Sequence, residues 1–229
     1  MSKNLYLPPT LQPNNVYHLF SHAVDNNNLF YENNNYTFFL NKWAHYSKNY
    51  FRTYAFCLMP NHFHFCVQAL PVSSHKIIKD MPSFSTNLKT EQLDENKSDV
   101  SYHSRRLSHF LSSYAQSLNK KRNRKGVLFR STFGRVQVTN VDYFRDLICY
   151  IHHNPIHHFD VACYQDWHYS SYDAYAPNYD KTWSFLDTDV VVNRFGSPIH
   201  VLDYHESFKT KRQFTKIEET VLQYYKRYA

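Results

Sequence analysis

The chain has 229 residues, 42% of them hydrophobic, which is enough to bury one good core with a small appendage. Its formal charge of +7, with the cations clustered, points to a polyanionic partner, most economically nucleic acid. Three widely separated glycines exclude a Gly-rich phosphate loop, and no apolar run approaches the roughly 20 residues of a membrane helix.

Residues 1–14 read as a loose, proline-containing arm without the pattern of a signal peptide, so a soluble cytoplasmic protein is expected. Val16 to Val24 is a strand candidate with Val16, His18, Phe20 and His22 on one face. Asn33 to Asn35 can cap a helix running to about Lys48, in which Tyr36, Phe39, Leu40 and Trp43 recur at core spacing. Two strands follow, about Tyr50 to Leu58 and His62 to Leu70, joined by a turn at Met59-Pro60-Asn61. Buried, reduced thiols are expected at Cys57 and Cys66, since the four cysteines form no CxxC pair.

Within the second of these strands, His62 and His64 point to one face while Phe63, Phe65 and Val67 point to the other. Two imidazoles side by side suit a metal ion. The competing reading is a surface strand in a chain that has 15 histidines.

Residues 71–101 are polar and mixed, and read as a long flexible insertion. An amphipathic helix from about Ser104 to Asn119 ends in Lys120, Lys121, Arg122, Arg124 and Lys125. These cations complement the helix dipole, and their density also makes a phosphate-binding surface. Val127 to Thr139 reads as a strand or hairpin carrying Arg130 and Arg135.

Asn140 caps a second helix, Val141 to about His153, which Pro155 is expected to end or kink at Asn154. Its apolar stripe is Phe144, Leu147, Ile148 and Ile151; Tyr143, Tyr150 and Asn154 lie roughly 90° to one side, at the edge of the buried face. His152, His153, His157 and His158 form a second cluster, more plausible as solvated or phosphate-touching groups than as metal ligands. Residues 176–229 read as a small helical appendage with a basic amphipathic tail from Lys209. Among 20 tyrosines and 18 phenylalanines most belong to the core, and the exposed remainder could stack unpaired bases.

Four short motifs in order carry a family resemblance: Tyr17-His18-Leu19-Phe20, Met59-Pro60-Asn61-His62-Phe63-His64, Tyr150-Ile151-His152-His153-Asn154-Pro155 and Trp167-His168-Tyr169-Ser170-Ser171-Tyr172. Across residues 15–175 the chain resembles the IS200-like single-tyrosine (HUH) transposases, in particular the REP-associated tyrosine transposase branch. The resemblance implies an α+β, ferredoxin-like fold, an antiparallel β-sheet flanked by α-helices, with the histidine strand central and the tyrosine helix over it. It assigns Tyr150 as nucleophile and His62, His64 and Asn154 as metal ligands. It further implies nicking and joining of single-stranded or hairpin DNA through a 5′-phosphotyrosine, by a monomer or a homodimer.

The residues agree with that assignment. An i, i+4 pair shares a helix face, so a metal on Asn154 would lie near Tyr150. Two neutral imidazoles and an amide suit octahedral Mg²⁺ or Mn²⁺ with positions open to phosphate. Cys66 shares the face of His62 and His64, which leaves zinc as the alternative ion. Lys120, Lys121, Arg122, Arg124, Lys125, Arg130 and Arg135 are the expected DNA-backbone contacts. The rival function is a non-catalytic, domesticated DNA-hairpin-binding protein.

Overall fold

The computed structural model describes residues 10–25, 27–72, 99–130, 133–159, 161–177, 183–208 and 213–228. Most of the arm and of the insertion read from the sequence lies outside the described residues.

The core is a four-stranded antiparallel sheet of β1 (Val16–His22), β2 (Phe51–Met59), β3 (His62–Ala69) and β4 (Gly134–Val138), in the order β2-β3-β1-β4. Helix α1 (Asn33–Ser47) connects β1 to β2, and α2 (Asp99–Lys121) precedes β4. The resulting β-α-β-β-α-β order is that of a ferredoxin-like fold.

Period-two alternation sorts the strands into two faces. Tyr17, Leu19, Phe56, Leu58, Phe63, Phe65 and Val67 join the core under α1 and α2, where Trp43 stacks on Phe65 and donates its indole N–H to Thr53 Oγ1 at 3.0 Å. The α1 residues Tyr36, Phe39, Leu40 and Trp43 are all buried there, as their spacing predicts.

The opposite face carries Val16, Ala55, Cys57, Met59 and Cys66 against α3 (Val141–Phe159). Asn140 caps α3 by accepting the Tyr143 N–H at 2.8 Å. The helix continues through Pro155 to Phe159 and so does not end at Asn154, where the proline predicts an end or a kink. Packing of the last turns holds it there: His157 lies 4.4 Å from the Phe214 ring and Phe159 6.0 Å from that of Trp167.

Three further helices, α4 (Thr188–Phe195), α5 (Pro198–Phe208) and α6 (Gln213–Tyr228), pack on this same side. The edge strand β2 is covered by the Trp167–Tyr172 segment: Trp167 donates to Leu58 O at 3.0 Å, Leu58 N–H to Tyr169 O at 2.9 Å, and Ser171 N–H to Phe56 O at 2.9 Å. That disposes of an exposed strand edge and gives the Trp-x-x-Ser-Ser-Tyr motif a structural role. At the other edge, Gly134 is a required glycine, because a Cβ there would collide with the Phe20 ring. Among the described residues no helix is long and apolar enough to cross a membrane.

Candidate active site

Strand register decides which histidines meet. β3 sends His62 and His64 to the α3 face, and β1 runs beside it with His22 opposite His62 and Phe20 opposite His64. The His22 and His62 rings stack at 5.3 Å, with 5° between their planes. Across from them α3 presents Tyr150, Asn154 and His158 at i, i+4 and i+8. The Tyr150 ring stands edge-on to His64 at 5.4 Å, and His158 edge-on to His62 at 5.5 Å. His62, His64, Tyr150 and Asn154 thus line one cleft of about 540 Å³, formed within a single chain. Tyr143, the third member of the predicted stripe, lines a different hollow.

The donor atoms suit a hard, octahedral cation. His62 Nδ1 lies 2.8 Å from Asn61 Oδ1, an acceptor, so the ring proton sits on Nδ1 and Nε2 keeps its lone pair. Burial, with His22 and His158 nearby, lowers His62 to about 3, and burial with its histidine neighbours holds His64 well below its ordinary value. Both imidazoles are therefore neutral at pH 7, the state a metal needs. Asn154 donates its Nδ2–H to Tyr150 O at 2.7 Å, while its buried Oδ1 has no hydrogen-bond partner among the described residues. A buried amide oxygen without a geometrically formed hydrogen bond, next to the His62 imidazole, fits a metal ligand. Among the described residues no group of three or more His, Cys, Asp or Glu side chains could hold a metal, so a cation here depends on that Asn154 oxygen. Cys66 shares the strand face but is buried in the α3 core and does not line the cleft.

The nucleophile candidate is fully buried rather than at an open edge, because α6 lies across it. Phe214 packs on the Tyr150 ring at 4.9 Å, and Glu218, Val221, Leu222, Tyr225 and Lys226 wall the cleft. The Tyr150 hydroxyl donates to Glu218 Oε2 at 2.6 Å. Burial first, then the Glu218 carboxylate, push the phenol well above its ordinary value. Glu218 belongs to none of the motifs in the sequence. A signal was present: Phe214, Ile217, Val221 and Tyr224 recur at helical spacing and are all buried, which puts Glu218 on the flank of a docked face.

The predicted DNA-contacting cations divide. Arg130 is exposed and lines the cleft, together with Lys226, which the sequence reading did not single out. Lys120, Lys121, Arg122, Arg124 and Lys125 lie at and beyond the end of α2 and do not line it. Lys121 pairs with Glu32, Arg122 stacks over the Tyr31 ring at 3.7 Å, and Arg124 donates to Val127 O at 2.7 Å. Arg135 is opposite Leu19 on β1, hence on the α1/α2 face, and donates to Ser104 Oγ at 2.9 Å.

The second histidine cluster also divides. His152 is a buried structural group, 2.7 Å from His205 Nε2 and 2.8 Å from Ser171 Oγ, whereas His158 reaches the cleft.

No protein-family model and no curated protein matches the sequence. A solved structure of a REP-associated tyrosine transposase bound to a REP hairpin is similar in fold, with a TM-score of 0.52 at 16% identity, over 82% of this chain and 93% of that one. The chain therefore has the fold of a REP-associated tyrosine transposase.

Proposed function

We propose that the protein nicks and rejoins single-stranded DNA next to a hairpin, through a 5′-phosphotyrosine on Tyr150. The observation that carries this reading is the convergence of Tyr150, Asn154, His62 and His64 on one cleft from two separate elements. The fold neighbour adds to it, since that protein was solved bound to a REP hairpin.

In this reading His62 and His64 through Nε2, and Asn154 through Oδ1, would hold Mg²⁺ or Mn²⁺. A cation bound there supplies Lewis-acid polarisation of the scissile phosphate. Arg130 and Lys226 at the cleft bring in the DNA backbone as phosphate contacts. The Tyr150 oxygen bonds to phosphorus, which stays attached to the 5′-oxygen, as the bond from phosphorus to the 3′-oxygen breaks. Joining reverses the exchange with little change in bond energy, so no nucleotide cofactor is needed. Tyr150 and the candidate ligands belong to one chain, so a monomer can complete the site.

The test is an incubation of the full chain with Mn²⁺ and a labelled pool of hairpin oligonucleotides whose single-stranded flanks are randomised. The expected product is a denaturant-resistant protein–DNA adduct that disappears in Tyr150→Phe. Hairpin binding without any adduct would establish instead a protein that binds DNA and does not cut it.

A further inference from the structure

We propose that Glu218 is the proton acceptor for the Tyr150 hydroxyl, so that the C-terminal helix α6 completes the active site. The inference rests on Tyr150 being the nucleophile.

A tyrosine phenol, ordinarily near pKa 10, must lose its proton as it attacks phosphorus at neutral pH. The structure shows where that proton points. The hydroxyl donates to Glu218 Oε2 at 2.6 Å, within the short range of hydrogen bonds to an ionised carboxylate. Glu218 is the carboxylate among the residues lining the cleft. The two imidazoles edge-on to the phenol are engaged with each other, His18 Nε2 lying 2.9 Å from His64 Nδ1.

Glu218 is also well placed to stay there. Its helix is anchored one turn earlier by Phe214 on the Tyr150 ring, and at its far end by Tyr224 and Tyr225, whose rings stand 5.2 Å and 5.5 Å from Phe20. Phe20 is on β1, beside the metal-candidate strand, so α6 spans the site from the nucleophile to the sheet.

In the step itself the bond from Tyr150 Oη to phosphorus forms as the bond from phosphorus to the 3′-oxygen breaks. The phenolic proton passes to Glu218 Oε2, and the departing 3′-oxygen takes a proton from solvent. In rejoining, the proton on Glu218 returns to Tyr150 as the phenol leaves. A general base positioned in this way is worth about 10²–10⁴-fold in rate.

The same contact could instead restrain the hydroxyl, and the two roles predict opposite effects. Full-length wild type, Tyr150→Phe, Glu218→Gln and Glu218→Ala are compared on the randomised hairpin pool with Mn²⁺, following single-turnover adduct formation and hairpin affinity by anisotropy. The proposal expects Glu218→Gln to form adduct about 10²–10⁴-fold more slowly with hairpin affinity kept. It also expects added formate or acetate to speed Glu218→Ala and leave Tyr150→Phe inert, a rescue that a purely structural role would not give. Adduct formation by Glu218→Gln as fast as wild type, or faster, overturns the assignment and leaves the Tyr150 reading standing. A wild type that forms no adduct overturns the Tyr150 reading, and this proposal with it.

Discussion

Nε2 of His18 lies 2.9 Å from Nδ1 of His64, in the buried space between β1 and α3. For His64 to offer Nε2 to a cation, its Nδ1 must keep the proton and donate it to His18. His18 would then fix both the tautomer and the ring plane of a ligand without touching the metal. The arrangement carries a cost, since His18 Nδ1 is buried with no hydrogen-bond partner among the described residues. Replacing His18 with Phe, beside Phe20, should preserve packing while removing the acceptor. The expected result is Mn²⁺ affinity about 10–100-fold weaker by calorimetry or Mn²⁺ spin resonance, with the fold intact by circular dichroism. Unchanged affinity would show that His64 needs no such support.

The legible parts of this protein were those with a strong local period. The Tyr36-Phe39-Leu40-Trp43 spacing located α1, and alternation put His62 and His64 on one face of β3. The helix does not end at Pro155, because tertiary contacts of the next turn with Phe214 and Trp167 outweigh the local bias of the residue before a proline. The stretch 127–139 read as one strand or hairpin, yet β4 covers only Gly134–Val138, with Phe129 making an isolated bridge to Ala23. The pairing of Glu218 with Tyr150 was out of reach for a different reason. Glu218 lies 68 residues from Tyr150 in sequence, and no spacing rule connects the two helices.

Arg130 and Arg135, five positions apart, should behave differently. Arg130 is exposed at the cleft, so Arg130→Ala should weaken hairpin binding and reduce the slope of log affinity against log salt by about 1. Arg135 is on the opposite face, held by Ser104, with burial lowering its guanidinium below the ordinary value and Nε without a partner among the described residues. Arg135→Met should leave that slope unchanged and shift stability by no more than about 1 kcal/mol, because an apolar chain replaces a poorly satisfied charge. Anisotropy titrations across a salt series separate the two; equal slopes would remove Arg130 from the DNA path.

His152 tests whether the Tyr-Ile-x-x-Asn-Pro and Ser-Ser-Tyr motifs are joined structurally. His205 donates its Nδ1–H to Val201 O at 2.7 Å, so its Nε2 accepts from His152 Nδ1, and His152 Nε2 in turn accepts from Ser171 Oγ. Removing the central ring takes one buried hydrogen bond from each of His205 and Ser171 and opens a cavity beside Tyr172 and Tyr175. His152→Ala should cost about 3 kcal/mol or more in urea unfolding. His168→Ala, in the motif of Ser171 but exposed, should stay within about 0.5 kcal/mol. Comparable effects at both positions would mean that the buried chain of hydrogen bonds contributes little.

Buried neutral histidines also make the metal-free protein sensitive to acid. Burial lowers His18 to about 3; burial and neighbouring charge lower His62 to about 3 and hold His64 and His152 well below the ordinary value. Each folded-state value lies below the unfolded one, so between about pH 3 and about pH 6.5 the unfolded chain binds more protons and stability rises with pH. The stabilisation is fully present above about pH 6.5 and is lost as pH falls toward 3, at about 1.4 kcal/mol per pH unit for each histidine that stays neutral. His18 and His62 alone would remove a large part of a typical domain stability of about 5–15 kcal/mol over this range. Chelator-treated protein, followed by far-ultraviolet circular dichroism in an acid titration, should therefore unfold at about pH 4–5. Retention of the folded signal at pH 3.5 would mean that these rings accept protons in place, and that the packing around β1, β3 and α3 is looser than the structure describes.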